Sequence, residues 1–179
     1  MANKRVNFNG FTVTNCKTME GQDGYVCSCT LNLNGKKIAD CWDGGFGGGM
    51  DISLVNGVSY TKLNNLVKTF REPEVDEELG VTLDFDAELM VYELMDKEDL
   101  AKTIRKLNKT NCGYCVVEKN HNLLSKTYKF PLSWNDATLK NFFMEREGGV
   151  KDVKEVKLYR HDTDLDINDK KVTLKDIAC

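Results

Sequence analysis

The chain has 179 residues and a formal net charge of −3, a balance that gives no general attraction to nucleic acid or anionic membrane and argues against direct nucleic-acid binding. Hydrophobic residues make up 41% and charged residues 30%, as in an ordinary folded domain. No apolar run approaches the ~20 residues that span a bilayer. Residues 1–9 contain no apolar stretch of a secretory signal, so we expect a cytoplasmic protein without membrane contact.

The first part of the chain predicts an antiparallel β-meander with one buried face. Residues 11–19 and 25–33 alternate in the way that is typical of half-buried strands. Asn34-Gly35 is the strongest short-range hairpin signal, because a type I′ turn needs positive φ at both central positions. Residues 36–42 then return as a third strand. We therefore expect a three-stranded meander in the N-terminal region.

A glycine-rich segment follows the meander. Exposed backbone N–H groups of such a loop can hold a phosphate, and the aromatic residues Trp42 and Phe46 could stack on a base. The segment lacks the lysine and hydroxyl of a P-loop, since Met50-Asp51 come next. We interpret it either as a ligand or partner contact or as a structural loop. The candidate ligand-binding residues are Trp42, Asp43, Gly44, Gly45, Phe46, Gly47, Gly48 and Gly49.

The rest of the chain mixes helical and strand patterns. Apolar residues at spacings of three and four, among them Phe85, Leu89 and Tyr92, predict a helical segment with a second start at Asp96 as an alternative. Ser133 is expected to cap a later helix. The expected elements are helices over 60–70 and 84–108, a hairpin from 114–119 and 124–132, a helix after 133, a strand over 153–159, and a terminal hairpin from 164–167 and 172–177.

This order of elements predicts an α+β fold and not a doubly wound sheet. We expect a single α+β domain over residues 1–179. The alternative is a subdivision into 1–58, the β-meander plus the glycine-rich loop, and 59–179, the helical and β remainder. Unpaired edge strands would allow a homo-oligomer.

An acidic stretch between residues 72 and 99 is the main charge asymmetry. One interpretation is an acidic link into an amphipathic helix, because acidic residues favour helix starts. The other is an acidic surface that binds a host protein with a basic surface. The candidate partner-binding residues are Glu74, Asp76, Glu77, Glu78, Asp84 and Asp86.

Two patterns suggest metal sites but fail on spacing. Cys112 and Cys115 form a C-x-x-C pair, yet a structural zinc needs four ligands, and the pair with His121 and His161 matches no zinc module. Alternating acids over 162–168 lack the glycine and glutamate of an EF-hand loop and are typical of the solvent face of a strand. We predict no metal, no cofactor and no assigned catalytic residue.

The strand pair around Asn34-Gly35-Lys36-Lys37, followed by the glycine-rich segment from Asp43 to Gly48, resembles the N-terminal region of small, uncharacterised accessory proteins encoded by bacteriophages and prophages. The resemblance covers about the first quarter of the chain and implies a viral protein of the host cytoplasm that binds and blocks a host component. We therefore favour a stoichiometric inhibitor of a host protein, for instance an anti-defence protein, over an enzyme. The alternatives are a protein that sequesters a small nucleotide ligand and a metal-dependent hydrolase or nuclease.

Overall fold

The computed structural model describes residues 5–21, 24–76, 80–119 and 125–179. It combines helices with antiparallel sheets, which confirms the predicted α+β class. The chain groups into two compact units, Met1–Glu98 with Asp166–Cys179, and Asp99–Leu165. These boundaries do not coincide with the alternative subdivision after residue 58, and the expected single domain stays a prediction.

The first unit contains a four-stranded antiparallel sheet in the order β1-β2-β3-β4. The strands are β1 (Phe11–Glu20), β2 (Tyr25–Leu33), β3 (Lys36–Asp43) and β4 (Asp51–Leu54). Asn34 and Gly35 have φ angles of 50° and 79°, as the predicted type I′ turn requires. The predicted meander forms β1 to β3. The sequence interpretation missed β4, which is only four residues long and follows the glycine-rich segment.

The inner face of this sheet packs on helix α1 (Tyr60–Lys68) and on the first half of helix α2 (Ala87–Asn108). Helix α1 begins where the Ser59 side chain accepts a hydrogen bond from the Lys62 N–H. Each fully buried aliphatic or aromatic side chain in such a core contributes about 1.5–3 kcal/mol. The core includes Phe11, Val13, Leu31, Leu33 and Ile38 from the sheet, Leu63 and Val67 from α1, and Ala87, Met90, Val91 and Leu94 from α2.

The acidic stretch contains more structure than its composition predicts. Strands β5 (Glu74–Asp76) and β6 (Val81–Leu83) form a small antiparallel pair of their own. The following helix α2 runs without interruption for 22 residues, so the alternative of a second start at Asp96 is wrong. Asp96 lies in the middle of a helix whose backbone hydrogen bonds need no new cap.

The second unit is built on a three-stranded antiparallel sheet in the order β8-β7-β9. Its strands are β7 (Cys112–Lys119), β8 (Lys126–Pro131) and β9 (Val153–Tyr159), and helix α3 (Asp136–Arg146) packs on them. The predicted turn over 120–122 lies outside the described residues. The cap of α3 is Asn135, not Ser133, because the Asn135 Oδ1 accepts from the Thr138 N–H at 2.8 Å.

The predicted C-terminal hairpin is wrong. In its place the structure has short 3-10 helices at Asp162–Leu165 and Leu174–Asp176. Thr173 and Asp176 form a reciprocal capping box, which satisfies backbone groups locally and starts a helical turn where the alternation suggested a strand. Val172 and Ile177, on either side of this turn, are buried in the core of the first unit.

Arg160 connects several segments of the second unit. Its guanidinium donates to the carbonyl oxygens of Leu132, at 2.8 Å, and of Trp134, and to the Asp136 carboxylate. The same group lies 5.4 Å from the ring centroid of Phe130. One side chain therefore holds the loop between β8 and α3 against the end of β9.

We predict that Arg160→Ala lowers the free energy of unfolding by about 2–3 kcal/mol, because several hydrogen bonds to a charged group are lost together. Urea denaturation followed by tryptophan fluorescence measures the change. Lys154→Ala removes an exposed cation from β9, the strand that ends just before Arg160, and should change stability by less than ~0.5 kcal/mol. Equal stability of the two variants would contradict the role given to Arg160.

Candidate functional site

A groove of about 430 Å³ lies on the first unit, between the β5–β6 pair and the outer face of α2. Its floor and walls are apolar or aromatic and its charged lining is mostly acidic. The apolar lining residues are Leu83, Phe85, Leu89 and Tyr92. The charged lining residues are Arg71, Glu72, Glu74, Asp84, Glu93 and Asp96.

Helix α2 forms the groove because its first half has two distinct faces. Ala87, Met90, Val91 and Leu94 recur at spacings of three and four and are fully buried against the sheet. Leu89, Tyr92, Glu93 and Asp96 recur at the same spacings on the other face and line the groove. The buried stripe therefore determines the direction in which the groove-lining stripe points.

The β5–β6 register places acidic and apolar residues on one face. Glu74 pairs with Leu83, and directly opposed residues of an antiparallel pair share a face. Leu83 is 51% exposed, and Leu89 across the groove is 48% exposed. Exposed apolar side chains grouped beside charged ones are a feature of protein-interaction surfaces.

Arg71 and Glu93 form the internal ion pair of the groove. The Arg71 Nη2 lies 2.6 Å from the Glu93 Oε1, and the guanidinium lies 4.3 Å from the ring centroid of Phe85. Lys97 contacts the same Glu93 oxygen at 2.9 Å. Burial raises the pKa of Glu93, but the hydrogen bonds from Arg71 and Lys97 outweigh it and leave the pKa below its usual value.

The remaining carboxylates give the groove an excess of negative charge. Asp84 pairs with Lys68 at 2.6 Å across an exposed surface, where such a pair is worth little. Glu72 and Glu74 are exposed, and within the described ranges their carboxylates have no ion-pair partner. A cation from outside would find two uncompensated charges here.

The predicted partner-binding residues separate into groups. Glu74 and Asp84 line the groove, and Asp76 belongs to β5. Asp86 has a structural role, since its Oδ1 accepts from the Leu89 N–H at 2.9 Å at the start of α2. Glu77 and Glu78 lie outside the described residues.

The sequence interpretation missed most of the groove. Glu72, Glu93 and Asp96 belonged to the acidic stretch but were not among the candidate partner-binding residues, and Leu89 was named only for its helical spacing. The sequence does contain a signal for the groove: Leu89, Tyr92, Glu93 and Asp96 form a second stripe of helical spacing that combines apolar and acidic residues.

The glycine-rich segment is the connection between β3 and β4, which pair with Trp42 opposite Asp51. Two carboxylates fix it in place. The Asp43 Oδ1 accepts from the Gly45 N–H at 2.8 Å, and the Glu88 Oε2 accepts from the Met50 N–H at 3.0 Å. Both N–H groups therefore already have anionic partners.

Gly49 packs closely on the end of the Glu88 side chain. A Cβ there would lie 2.2 Å from the Glu88 Oε2, so a side chain would push this carboxylate away. By contrast, a Cβ at Gly47 or Gly48 would have no neighbour within 4 Å among the described residues. The segment thus has a fixed end beside α2 and an open middle.

Trp42 and Phe46 are the exposed aromatic residues of this segment, at 53% and 78%. They lie on either side of Gly44, where a Cβ would be 2.7 Å from the Trp42 Cη2 and 2.9 Å from the Phe46 Cδ2. The candidate ligand-binding residues over 42–49 are consecutive: Trp42 and Asp43 end β3, and residues 44–49 belong to its connection with β4. Their role in binding stays a prediction.

Tyr92 joins this loop to the groove. Its hydroxyl donates to the Asp43 Oδ2 at 2.5 Å while its ring lines the groove. Burial, and then the hydrogen bond to Asp43, raises the pKa of Tyr92. The same bond, with the Gly45 N–H, lowers the pKa of Asp43, which therefore stays ionised. Two regions that are separate in the sequence become neighbours through this contact.

The cysteines of the C-x-x-C pair are accounted for by contacts within the protein. Cys112 is half-buried and its thiol contacts the Thr110 carbonyl oxygen at 3.5 Å, and burial raises the pKa of Cys115 to about 12. His121 lies outside the described residues. Over 5–21, 24–76, 80–119 and 125–179, no group of three or more histidine, cysteine or acidic side chains has an arrangement that could hold a metal ion.

The alternating acids near residue 162 do not lie on a strand, as the sequence suggested. Asp162 pairs with the Arg105 Nε at 2.6 Å. Asp164 accepts from the His161 N–H at 2.9 Å, and Asp166 accepts from the Asn7 N–H at 2.8 Å. These carboxylates fix backbone turns, which explains their number.

Comparisons with protein-family models, with curated proteins and with solved structures find no match. In the part of the chain that the structure describes, no helix is both long enough and apolar enough to cross a membrane.

We predict that Tyr92→Phe lowers the free energy of unfolding by about 1–2 kcal/mol, because a hydrogen bond to a charged group is lost. Tyr25→Phe is the matched control, since Tyr25 is 68% exposed and the same oxygen atom is removed. Chemical denaturation of both variants measures the difference. If both lose the same stability, the contact between Tyr92 and Asp43 does not fix the loop.

Proposed function

We propose that this chain is a phage-type accessory protein that binds a host protein stoichiometrically and inhibits it, with the groove as its contact surface. The observation that carries the proposal is the pairing of exposed Leu83 and Leu89 with a mostly acidic lining. The target would present a basic surface, as a component of a host defence system could.

The chemistry of the groove supports protein binding in particular. Exposed apolar side chains add binding free energy when a partner covers them, and charges around them increase the association rate and exclude partners of the wrong sign. Leu83 and Leu89 supply the first, and Glu72 and Glu74 supply the second. The N-terminal resemblance to phage accessory proteins supports the inhibitory role.

We predict that Glu72→Lys combined with Glu74→Lys abolishes formation of the complex with the host target. The expected cause is electrostatic, since two attractive charges become repulsive at the contact surface. Both positions are exposed, so the fold should survive, which circular dichroism would check. The measurement is the mass of the purified complex by light scattering, together with relief of target inhibition.

The control is the double variant Glu145→Lys with Asp152→Lys. It makes the same change in net charge at exposed positions of the second unit. This control should bind and inhibit like the original chain. Unchanged binding by the groove variant, or equal loss in the control, would contradict the assignment of the groove.

A second candidate function is sequestration of a small nucleotide. The observation that favours it is the exposed pair Trp42 and Phe46 beside the open middle of the loop at Gly47 and Gly48. Aromatic side chains stack on bases with little sequence preference. The carboxylates of Asp43 and Glu88 on the loop N–H groups act against it, since they repel a phosphate.

Native mass spectrometry of the purified chain tests the second candidate. A retained nucleotide that is lost on Trp42→Ala would support sequestration and direct further work to the loop. A mass equal to that of the bare chain, with added nucleotides producing no adduct, would count against it.

A further inference from the structure

We infer that the groove takes an arginine of its partner next to an apolar side chain of the same segment. The inference rests on the proposed function and specifies the chemistry of the partner. The groove, the exposed leucines and the free carboxylates carry it together.

Arg71 provides the first argument, because it is an example of a guanidinium bound in this groove. It faces the Phe85 ring at 4.3 Å while its edge reaches the Glu93 carboxylate at 2.6 Å. Lys97 also combines a ring, Phe8 at 5.3 Å, with the Glu93 carboxylate at 2.9 Å, but its ammonium is a point charge. A planar guanidinium adds a flat face that stacks on a ring and an edge with several donors for carboxylates. The lining is therefore chemically suited to arginine beside an aromatic ring and a carboxylate.

The second argument is that equivalent groups remain open next to Arg71. Glu72 and Glu74 are exposed carboxylates without an ion-pair partner among the described residues. Tyr92 contributes a ring whose hydroxyl is already bound to Asp43, so the ring offers its apolar face. An incoming guanidinium would find the same two kinds of group that hold Arg71.

The third argument is the exposed apolar pair. Leu83 and Leu89 line the groove and are about half exposed, so a side chain that covers them removes apolar surface from water. Such burial contributes about 25 cal/mol per Å². A segment that carries only charge would leave this contribution unused, which is why we specify an apolar neighbour of the arginine.

Charge decides between this occupant and others. The lining has five carboxylates, Glu72, Glu74, Asp84, Glu93 and Asp96, against one guanidinium, Arg71. Lys68 and Lys97 pair with Asp84 and Glu93 from outside the lining, and Glu72 and Glu74 are the ones without an ion-pair partner among the described residues. A phosphate backbone or an acidic segment would be repelled by this surface. A second copy of the chain is the remaining occupant, and the experiment separates it by oligomeric state.

The test uses short fluorescein-labelled peptides with Arg-Leu-Arg between glycine and serine spacers, and the full chain. The counterparts replace arginine by lysine, or leucine by serine. Fluorescence anisotropy should show that the Arg-Leu-Arg peptide binds several-fold more tightly than either counterpart. High salt should weaken the binding, because the carboxylates of the groove are exposed.

Variants of the chain locate the site. Glu72→Lys with Glu74→Lys should lower the affinity for the Arg-Leu-Arg peptide at least ~10-fold, which corresponds to about 1.4 kcal/mol. Leu89→Ser should lower it as well, and circular dichroism would confirm that this exposed substitution preserves the fold. Glu145→Lys with Asp152→Lys should have no effect.

The outcomes separate the inference from the proposed function. Equal binding of the arginine and lysine peptides, or binding that groove variants leave unchanged, overturns the inference. If the peptides fail while the groove variant still abolishes the complex with the host target, the proposed function stands and the inference is wrong. If peptides bind in the groove but that complex survives the variant, the proposed function fails. A dimer that dissociates on Leu89→Ser would identify a second copy as the occupant and overturn the inference.

Discussion

The packing of the first half of α2 on the inner face of the N-terminal sheet is the interaction on which the first unit depends. Ala87, Met90 and Leu94 are fully buried there, and because the helix is rigid their burial fixes the opposite face. That opposite face lines the groove. The buried stripe and the groove-lining stripe are thus two faces of one helix. A substitution that rotated α2 to improve its core would also displace the groove-lining residues, so its two faces constrain each other.

Two hydrogen bonds extend this constraint to the glycine-rich loop. Tyr92 donates to Asp43, and the Glu88 carboxylate accepts from the Met50 N–H. The loop is therefore attached at both ends to the helix that forms the groove. Hairpin loops are often independent of the rest of a fold, but this loop takes its position from α2. A partner that contacts the groove could therefore extend onto Trp42 and Phe46 without a large rearrangement.

Local signals in the sequence were sufficient for much of the fold. The Asn34-Gly35 turn, the alternation of β1 to β3 and the α+β class needed no knowledge of tertiary contacts. Tertiary contacts were needed, however, to decide which face of α2 is buried. Leu89 and Tyr92 have helical spacing, as does the stripe of Ala87, Met90 and Leu94, and periodicity alone cannot choose between two stripes when both contain apolar residues. The sheet makes that choice, since it buries the stripe of Ala87, Met90 and Leu94. The C-terminal hairpin failed for a different reason, because the capping box at Thr173 competes locally with the extended pattern.

The contrast between Gly49 and Gly48 has a practical consequence for anyone who modifies this chain. Position 49 is closed by the Glu88 carboxylate, whereas position 48 faces open space and does not have the left-handed backbone that disfavours other residues. A substitution at position 49 would therefore displace the Glu88 carboxylate from the Met50 N–H, whereas one at position 48 would displace nothing among the described residues. A reporter dye attached at position 48 would extend from open space in the loop that the hydrogen bond between Tyr92 and Asp43 joins to the groove. Because residue 48 is not a groove-lining residue, the dye could report a partner bound in the groove without occupying the groove itself.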